Sequence, residues 1–266
     1  MQKLPAVILA AGQGKRLRPY TDKIPKVLVS IHGKPLLDYV LSGLIQVGIR
    51  NFFIVTGYKA TLVEKWVQDD FLSTAYVIFG KKINPITDPL TFHFIRQKEI
   101  NGTGGATLLV EKYLTDLGFS SFLLTYGDLL VSKSVFYRLC RTYQQDHNPF
   151  YLVGNPTEDP SAGAAIYYEG DKILNFIEKP NSKAPKTDLN NSGIYIFDQI
   201  IFDLLKESKP TIRGEIELTE PIIRIIKEKY FTVKLIKMHE NELWCDVGTI
   251  ESLDKMKKNV YWLSQL

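Results

Sequence analysis

The feature that most restricts how this chain can fold is a repeated exchange of short apolar runs for helical stripes over its first two-thirds. Pro5 to Ala10 is a compact apolar run stopped by glycines, the pattern of a buried strand. Pro35 to Val47 carries Leu36, Leu37, Val40, Leu41, Leu44 and Ile45 at helical spacing and closes on Gly48. Phe52 to Thr56 is strand-like again, Thr61 to Val67 helical, Thr91 to Arg96 alternating, and Gly105 to Tyr113 helical. Ser121 to Thr125 reads as a further buried strand, and Ser132 stands where it would cap a helix reaching Tyr143. Parallel strands need long crossovers, so this alternation predicts a parallel sheet with helices on both faces.

After Phe150 the texture changes. Tyr151 to Val153, Gly163 to Tyr168, Ile173 to Ile177 and Gly193 to Phe197 are four strand candidates between loops rich in Pro, Asn, Asp and Gly. Helical patterns follow at Gln199 to Lys206 and Glu217 to Lys229, then a strand at Thr232 to Lys237 and a last helix from Thr249. The expected fold is α/β: a Rossmann-like, mixed, mainly parallel sheet flanked by helices, with a smaller β-rich part. No clean linker is visible, so one domain over 1–266 is expected, with halves 1–149 and 150–266. The stretch from Asp69 to Pro89, which includes Lys81-Lys82, carries no readable pattern.

Of the 266 residues, 45% are hydrophobic and 23% charged, enough for a large core and too hydrophobic for disorder. No apolar run approaches the roughly 20 residues that span a bilayer. Met1-Gln2-Lys3 and the apolar run behind it imitate a signal peptide, but the run leads into Gly12-Gln13-Gly14-Lys15-Arg16 instead of a cleavage site. A net charge of +4, scattered along the chain, does not argue for nucleic acid and suits small anions. Cys140 and Cys245 do not suggest a disulfide framework, so a cytoplasmic protein is expected. The four histidines are far apart and show no zinc spacing.

The strongest local signal runs from Leu9 to Thr21, Leu-Ala-Ala-Gly-Gln-Gly-Lys-Arg-Leu-Arg-Pro-Tyr-Thr, and resumes at Pro25-Lys26-Val27-Leu28. Small residues at a strand end let backbone amides approach a phosphate or a base. Lys15, Arg16, Arg18 and Lys26 then place four cations close by, which suits polyphosphate chemistry. Arg16 follows Gly14-Lys15 where the Walker loop has Ser or Thr, and Leu17 stands where the dinucleotide fingerprint needs Gly or Ala. A lone Gly-x-Gly is more often a basic surface turn; the four cations and the later Pro-Lys favour function here.

Leu9 to Leu28, continued through Gly33-Lys34-Pro35-Leu36-Leu37, resembles the signature of the sugar nucleotidyltransferases, the nucleoside-diphosphate-sugar pyrophosphorylases. Later motifs occur in the family's order along nearly the whole chain. The resemblance implies the nucleotide-diphospho-sugar transferase fold, with a nucleotide-binding first half and a sugar-phosphate-binding second half. It implies a reaction in which a nucleoside triphosphate and a sugar 1-phosphate give a nucleotide sugar and pyrophosphate, with magnesium as cofactor. Members acting on glucose 1-phosphate with UTP or dTTP are the nearest in pattern. Longer members carry a β-helix domain after this one, and the chain stops too early to show it.

Carried over residue by residue, Arg16 and Lys26 would grip the nucleotide phosphates, with Leu9, Ala11, Gly12 and Gly14 lining the nucleotide. Gln97, followed five residues on by Gly102 and then Thr103, matches the family's reader of a uracil or thymine base. A glutamine amide offers the donor and acceptor that such an edge requires. Asp128 closes the apolar run Ser121 to Tyr126, and Asp246 sits in Trp244-Cys245-Asp246-Val247-Gly248; both are carried over as the magnesium ligands. On the sugar side, Lys179 would hold the phosphate, Glu178 the ring hydroxyls, Gly163 a backbone contact, and Asn191 would help close the pocket. Taken singly, Gln97 could be a strand-end residue, Asp128 a turn residue and Asp246 a helix cap. Gly214 to Thr219 also matches a family segment, and it receives no chemical role.

The expected reaction is in-line displacement at the α-phosphorus by an ionised phosphate oxygen, which needs no general base. Three other readings compete: the same chemistry on a non-sugar phosphate, a non-catalytic sugar-nucleotide sensor, and a dinucleotide oxidoreductase. The last fails on the missing third glycine and on the absence of an acidic residue closing Phe53 to Thr56. Oligomeric state is left open, with a homo-oligomer allowed.

Overall fold

The computed structural model describes residues 4–80, 83–181, 183–212 and 214–266. Met1–Lys3 and Lys81-Lys82 therefore lie outside the described residues. The protein is a mixed α/β structure with a central sheet and flanking helices. It divides into two compact units, each assembled from separated stretches of chain. The first takes the chain up to Ile100, Thr125–Phe136 and Leu243–Leu266; the second takes Asn101–Leu124 and Tyr137–Glu242.

In the first unit the strands Ala6–Ala10, Asn51–Thr56 and Thr91–Arg96 run parallel. Ala10, Thr56 and Arg96 are in register, so all three strands stop at one edge. Every residue of Ala6–Ala10 is buried, as expected of a strand covered on both faces. Phe52 stacks on Phe92 at 5.0 Å, and Phe53 on His93 at 4.7 Å. The helix Leu36–Gln46 buries the stripe of leucines and ends before Gly48, whose φ is 97°.

Beyond Val67 the helical pattern does not stop. Ala60–Lys65 continues through a π-helical stretch, Trp66–Phe71, into Leu72–Phe79. Val63, Val67, Phe71 and Ala75 are all buried. A strict four-residue spacing drifts around a helix of 3.6 residues per turn, and a wider turn restores it to one side. Asp69-Asp70, exposed on the outer side, hides this continuity from a hydrophobic pattern. The following segment is tied down by Arg50, which donates to Asp88 at 2.7 Å and to the carbonyls of Ile45 and Ile49.

The second unit is mostly antiparallel and contains the β-rich part expected after Phe150. Leu189–Asp198 pairs antiparallel with Ser121–Leu124 and with Phe150–Pro156. Lys172–Glu178 pairs antiparallel with Ala164–Glu169, while Val233–Lys237 lies parallel to Phe150–Pro156. Phe122 stacks on Phe202 in its core at 5.4 Å. The single helix expected at Gly105 to Tyr113 is two, Gly102–Leu108 and Glu111–Asp116.

A short pair with no counterpart in the sequence reading closes the first unit. Trp244–Asp246 lies antiparallel to Leu129–Val131, with Asp246 opposite Leu129. It is held by a core of Leu17, Ile31, Leu36, Leu130, Val247 and Trp262, among others. Ser132 reinforces it: its hydroxyl accepts from the Leu243 N–H at 2.7 Å and donates to the Gln265 amide oxygen. Thr249 then starts the helix Ile250–Lys258 with a capping box shared with Ser252. Thr249→Ala is expected to lower unfolding free energy by about 1 kcal/mol, read as a shift in the urea midpoint with an unchanged slope.

Candidate active site

The parallel strands of the first unit deliver their loops at the edge where an open α/β sheet binds ligands. Leu9 and Ala11 are buried there; the Leu9 carbonyl accepts from the Gly127 N–H at 3.0 Å, and that of Ala11 from the Tyr58 N–H at 3.1 Å. Gly12 is exposed, with open space where a side chain would be. Gly14 has φ 63°, a conformation that suits glycine. A Cβ there would stand 2.9 Å from Lys26 Cβ and from Thr21 Cγ2. Thr21 in turn donates to the Gly14 carbonyl at 2.9 Å. The glycine thus lets the two signature segments pack on each other.

Asp128 lies in the turn between Ser121–Tyr126 and Leu129–Val131, and Asp246 ends the strand that pairs with the latter. The Val247 N–H donates to the Asp128 carbonyl at 3.3 Å, which joins the two turns. Both side chains meet at Lys26, whose Nζ contacts Asp128 Oδ2 directly and lies 3.2 Å from Asp246 Oδ1. Asp246 does not cap the last helix, since Thr249 does. Lys26 and Asp128 are mostly buried, with side chains 13% and 18% exposed, whereas Asp246 is 45% exposed.

Burial works against the charge on Lys26, but the charges and hydrogen bonds of Asp128 and Asp246 outweigh it and hold the ammonium above its usual range. Burial pushes the Asp128 carboxyl up; Lys26 opposes this, and the neighbouring Asp246 charge adds to it. Two carboxylates and one ammonium leave a net negative charge at a point both acids reach. Such a donor set fits a hard divalent cation that takes one or two carboxylates and completes its shell with phosphate and water. Among the described residues no group of three or more His, Cys, Asp or Glu side chains gathers to hold a metal.

Arg16 is exposed in the turn Lys15–Leu17 and reaches the same corner. A Cβ on Gly248 would lie 3.1 Å from Arg16 Nη2 and 3.2 Å from Asp246 Oδ2, so both groups converge over that glycine. Arg18 is instead paired with Asp22 at 3.3 Å on the surface. Gln97 is buried one residue past Thr91–Arg96, and its N–H donates to the Thr56 carbonyl at 2.7 Å.

Gly102 and Thr103 belong to the second unit. Gly102 has φ 93°, and a Cβ on it would come within 2.4 Å of the Ile216 carbonyl oxygen. Gly104 donates to that oxygen at 2.8 Å, and the Thr103 hydroxyl accepts from the Leu218 N–H at 3.0 Å. Gly214 to Thr219, which had no assigned role, is therefore the partner for which these glycines make room.

The sugar-side residues also lie in the second unit. The Lys179 N–H donates to the Gly163 carbonyl at 2.9 Å, which holds Lys179 at φ 44° before Pro180. Left-handed geometry costs a non-glycine residue about 1–2 kcal/mol, so the lysine is fixed in place by its surroundings. Asn191 uses its amide locally, donating to Tyr195 Oη at 2.6 Å and accepting from the Gly193 N–H at 3.2 Å. Glu178 is exposed and lines a pocket of about 470 Å³ with Glu217, Thr219 and Arg224. Asn155, which the sequence reading missed, pairs in register with Asn190, and Asn190 packs against Gly163. The buried Oδ1 of Asn155 has no hydrogen-bond partner among the described residues. The signal was a polar Asn-Pro closing an apolar strand.

The profile of the nucleotidyl transferase family matches residues 5–261, and the chain belongs to that family. The kinship inferred from Leu9 to Leu28 is correct. The bifunctional protein GlmU of Methanocaldococcus jannaschii is 31% identical over 98% of this chain, which spans 55% of that relative. The chain thus spans about half the length of such relatives. A UTP–glucose-1-phosphate uridylyltransferase, AglF, of Haloferax volcanii is 28% identical, with 96% of each chain covered. Among solved structures, a UDP-glucose pyrophosphorylase complexed with UDP-glucose superposes with a TM-score of 0.80 at 26% identity, covering 97% of this chain and 98% of that one.

Cys245, between Trp244 and Asp246, has its thiol pushed up to about 11 from 9.0 by burial and then by the Asp246 charge. A thiol held that high carries roughly 100-fold less thiolate at neutral pH. Iodoacetamide should accordingly label Cys245 at pH 7.5 at about a hundredth of a model thiol's rate, rising with pH toward 11. Labelling at the model rate would show that the thiol is not shielded.

Proposed function

We propose that the protein joins a uridine or thymidine triphosphate to a sugar 1-phosphate, with glucose 1-phosphate the favoured acceptor, and releases pyrophosphate in a magnesium-dependent reaction. The observation that carries this reading is the meeting of Asp128 and Asp246 at Lys26 Nζ, beside the Gly12–Gly14 loop. The names borne by AglF and by the pyrophosphorylase solved with UDP-glucose support the same donor and acceptor.

An oxygen of the sugar phosphate attacks the α-phosphorus, and pyrophosphate leaves on the opposite side. The attacking oxygen is ionised at neutral pH, so positioning and charge stabilisation suffice. Magnesium, held by Asp128 and Asp246, would neutralise phosphate charge. Arg16 and Lys26 bind the nucleotide phosphates, and Arg16 faces the charge that builds on the leaving group. The exposed Gly12 and the backbones of Leu9, Ala11 and Gly14 line the nucleotide, while Gln97 reads the base with Gly102 and Thr103 nearby in sequence. Lys179 receives the sugar phosphate; Glu178 takes ring hydroxyls, and Gly163 and Asn191 complete that side. A cytoplasmic setting belongs to the proposal and agrees with two free cysteines. No helix among the described residues is long and apolar enough to cross a membrane.

Pyrophosphate release over a matrix of UTP, dTTP, CTP and GTP against glucose 1-phosphate and N-acetylglucosamine 1-phosphate tests the whole reading. UTP or dTTP should exceed GTP, and faster turnover of GTP than of both would reject Gln97 as a uracil or thymine reader. Asp128→Ala should lower kcat by about 100-fold to 1000-fold, the scale of losing one preorganised electrostatic group, with the melting transition retained. Near-normal turnover in magnesium would remove Asp128 from the site.

A further inference from the structure

Lys26 places its ammonium where a cation shared by Asp128 and Asp246 would have to lie. Nζ touches one carboxylate directly and donates to the other at 3.2 Å. Its stem is anchored rather than loose. Lys26 opens the turn Lys26–Leu28, between the buried residues Pro25 and Val27. The bare Cα of Gly14 packs against the stem, for a Cβ there would lie 2.9 Å from Lys26 Cβ and 3.4 Å from Cγ. A charged tip on a short, anchored tether has a high effective concentration at the place it reaches.

We propose that, in the nucleotide-free protein, Lys26 occupies the Asp128–Asp246 pair as an internal cation, so that a divalent metal binds there weakly until a triphosphate draws the ammonium away. The inference rests on the reading of these aspartates as metal ligands. Two carboxylates and the ammonium carry one net negative charge; with the ammonium gone they carry two, which suits a divalent ion. The apparent metal affinity scales with the fraction of molecules in which the pair is uncovered. A lysine that covers the pair about nine-tenths of the time weakens metal binding about tenfold. A triphosphate at the Gly12–Gly14 loop offers the ammonium a more highly charged partner within the same signature. Lys26 then changes from placeholder to phosphate clamp, and metal is retained chiefly together with nucleotide.

Manganese serves as the probe, with free Mn²⁺ followed by electron paramagnetic resonance in the nucleotide-free full chain. Wild type, Lys26→Met, Lys26→Gln and the double variant Asp128→Asn/Lys26→Met are compared. Lys26→Met and Lys26→Gln should bind Mn²⁺ at least about tenfold more tightly than wild type, and Asp128→Asn should abolish that gain. Thermal melts give a second readout: Mn²⁺ should raise the Tm of Lys26→Gln more than that of wild type. Cooperative melts show which variants are folded, and either lysine variant suffices. Equal Mn²⁺ affinity in wild type and the folded lysine variants would overturn the placeholder while leaving the metal pair standing. Tight binding that survives Asp128→Asn would place the ion elsewhere and sink both readings.

Discussion

Two carboxylates brought within reach of one another repel, and burial raises the cost of keeping both ionised. The candidate site depends on how that cost is met. Lys26 lies between Asp128 and Asp246 and offsets part of their charge. Neither acid is placed by its local sequence alone. Leu130 and Val247, each two or one residues from an aspartate, are fully buried in one core with Leu17 and Trp262. Apolar burial at about 25 cal/mol per Å² is the force that holds the acids together; the polar contacts choose their geometry.

The glycines of the first unit do mechanical work before any ligand arrives. Gly14 admits the stem of Lys26, and Gly127 would meet Val27 at 3.0 Å and Ile8 at 3.3 Å if it carried a Cβ. The loop and the carboxylate turn thus press on the adjacent residues Lys26 and Val27. Substitution at either glycine would move the charged groups as well as the backbone. Phosphate-facing amides and internal packing are therefore joint demands on one loop.

The second unit shows the same economy of small residues. Gly102 and Gly104 accommodate the backbone of Ile216, while Thr103 receives the Leu218 N–H. Gly214 to Thr219 was legible as a motif but not as a packing partner, because the contact joins residues more than a hundred positions apart. Asn155 escaped notice for a different reason. A polar residue at a strand end is ordinary, and only burial of its Oδ1 without a partner marks it.

The helix Leu36–Gln46 and the strands Ala6–Ala10, Asn51–Thr56, Thr91–Arg96 and Ser121–Tyr126 follow from apolar spacing, which acts over a few residues and is visible in any linear reading. So does the phosphate-seeking character of Leu9 to Lys26, since glycines and cations need only their neighbours to be recognised. The continuous helical stretch through Phe79 was hidden because its buried side follows a four-residue spacing and two exposed aspartates stand in its middle. Tertiary structure alone decided the antiparallel course of Leu189–Asp198 and the pairing of Trp244–Asp246 with Leu129–Val131. Strand direction and the meeting of distant carboxylates are settled by which apolar surfaces cover one another, and that information is spread over the whole chain.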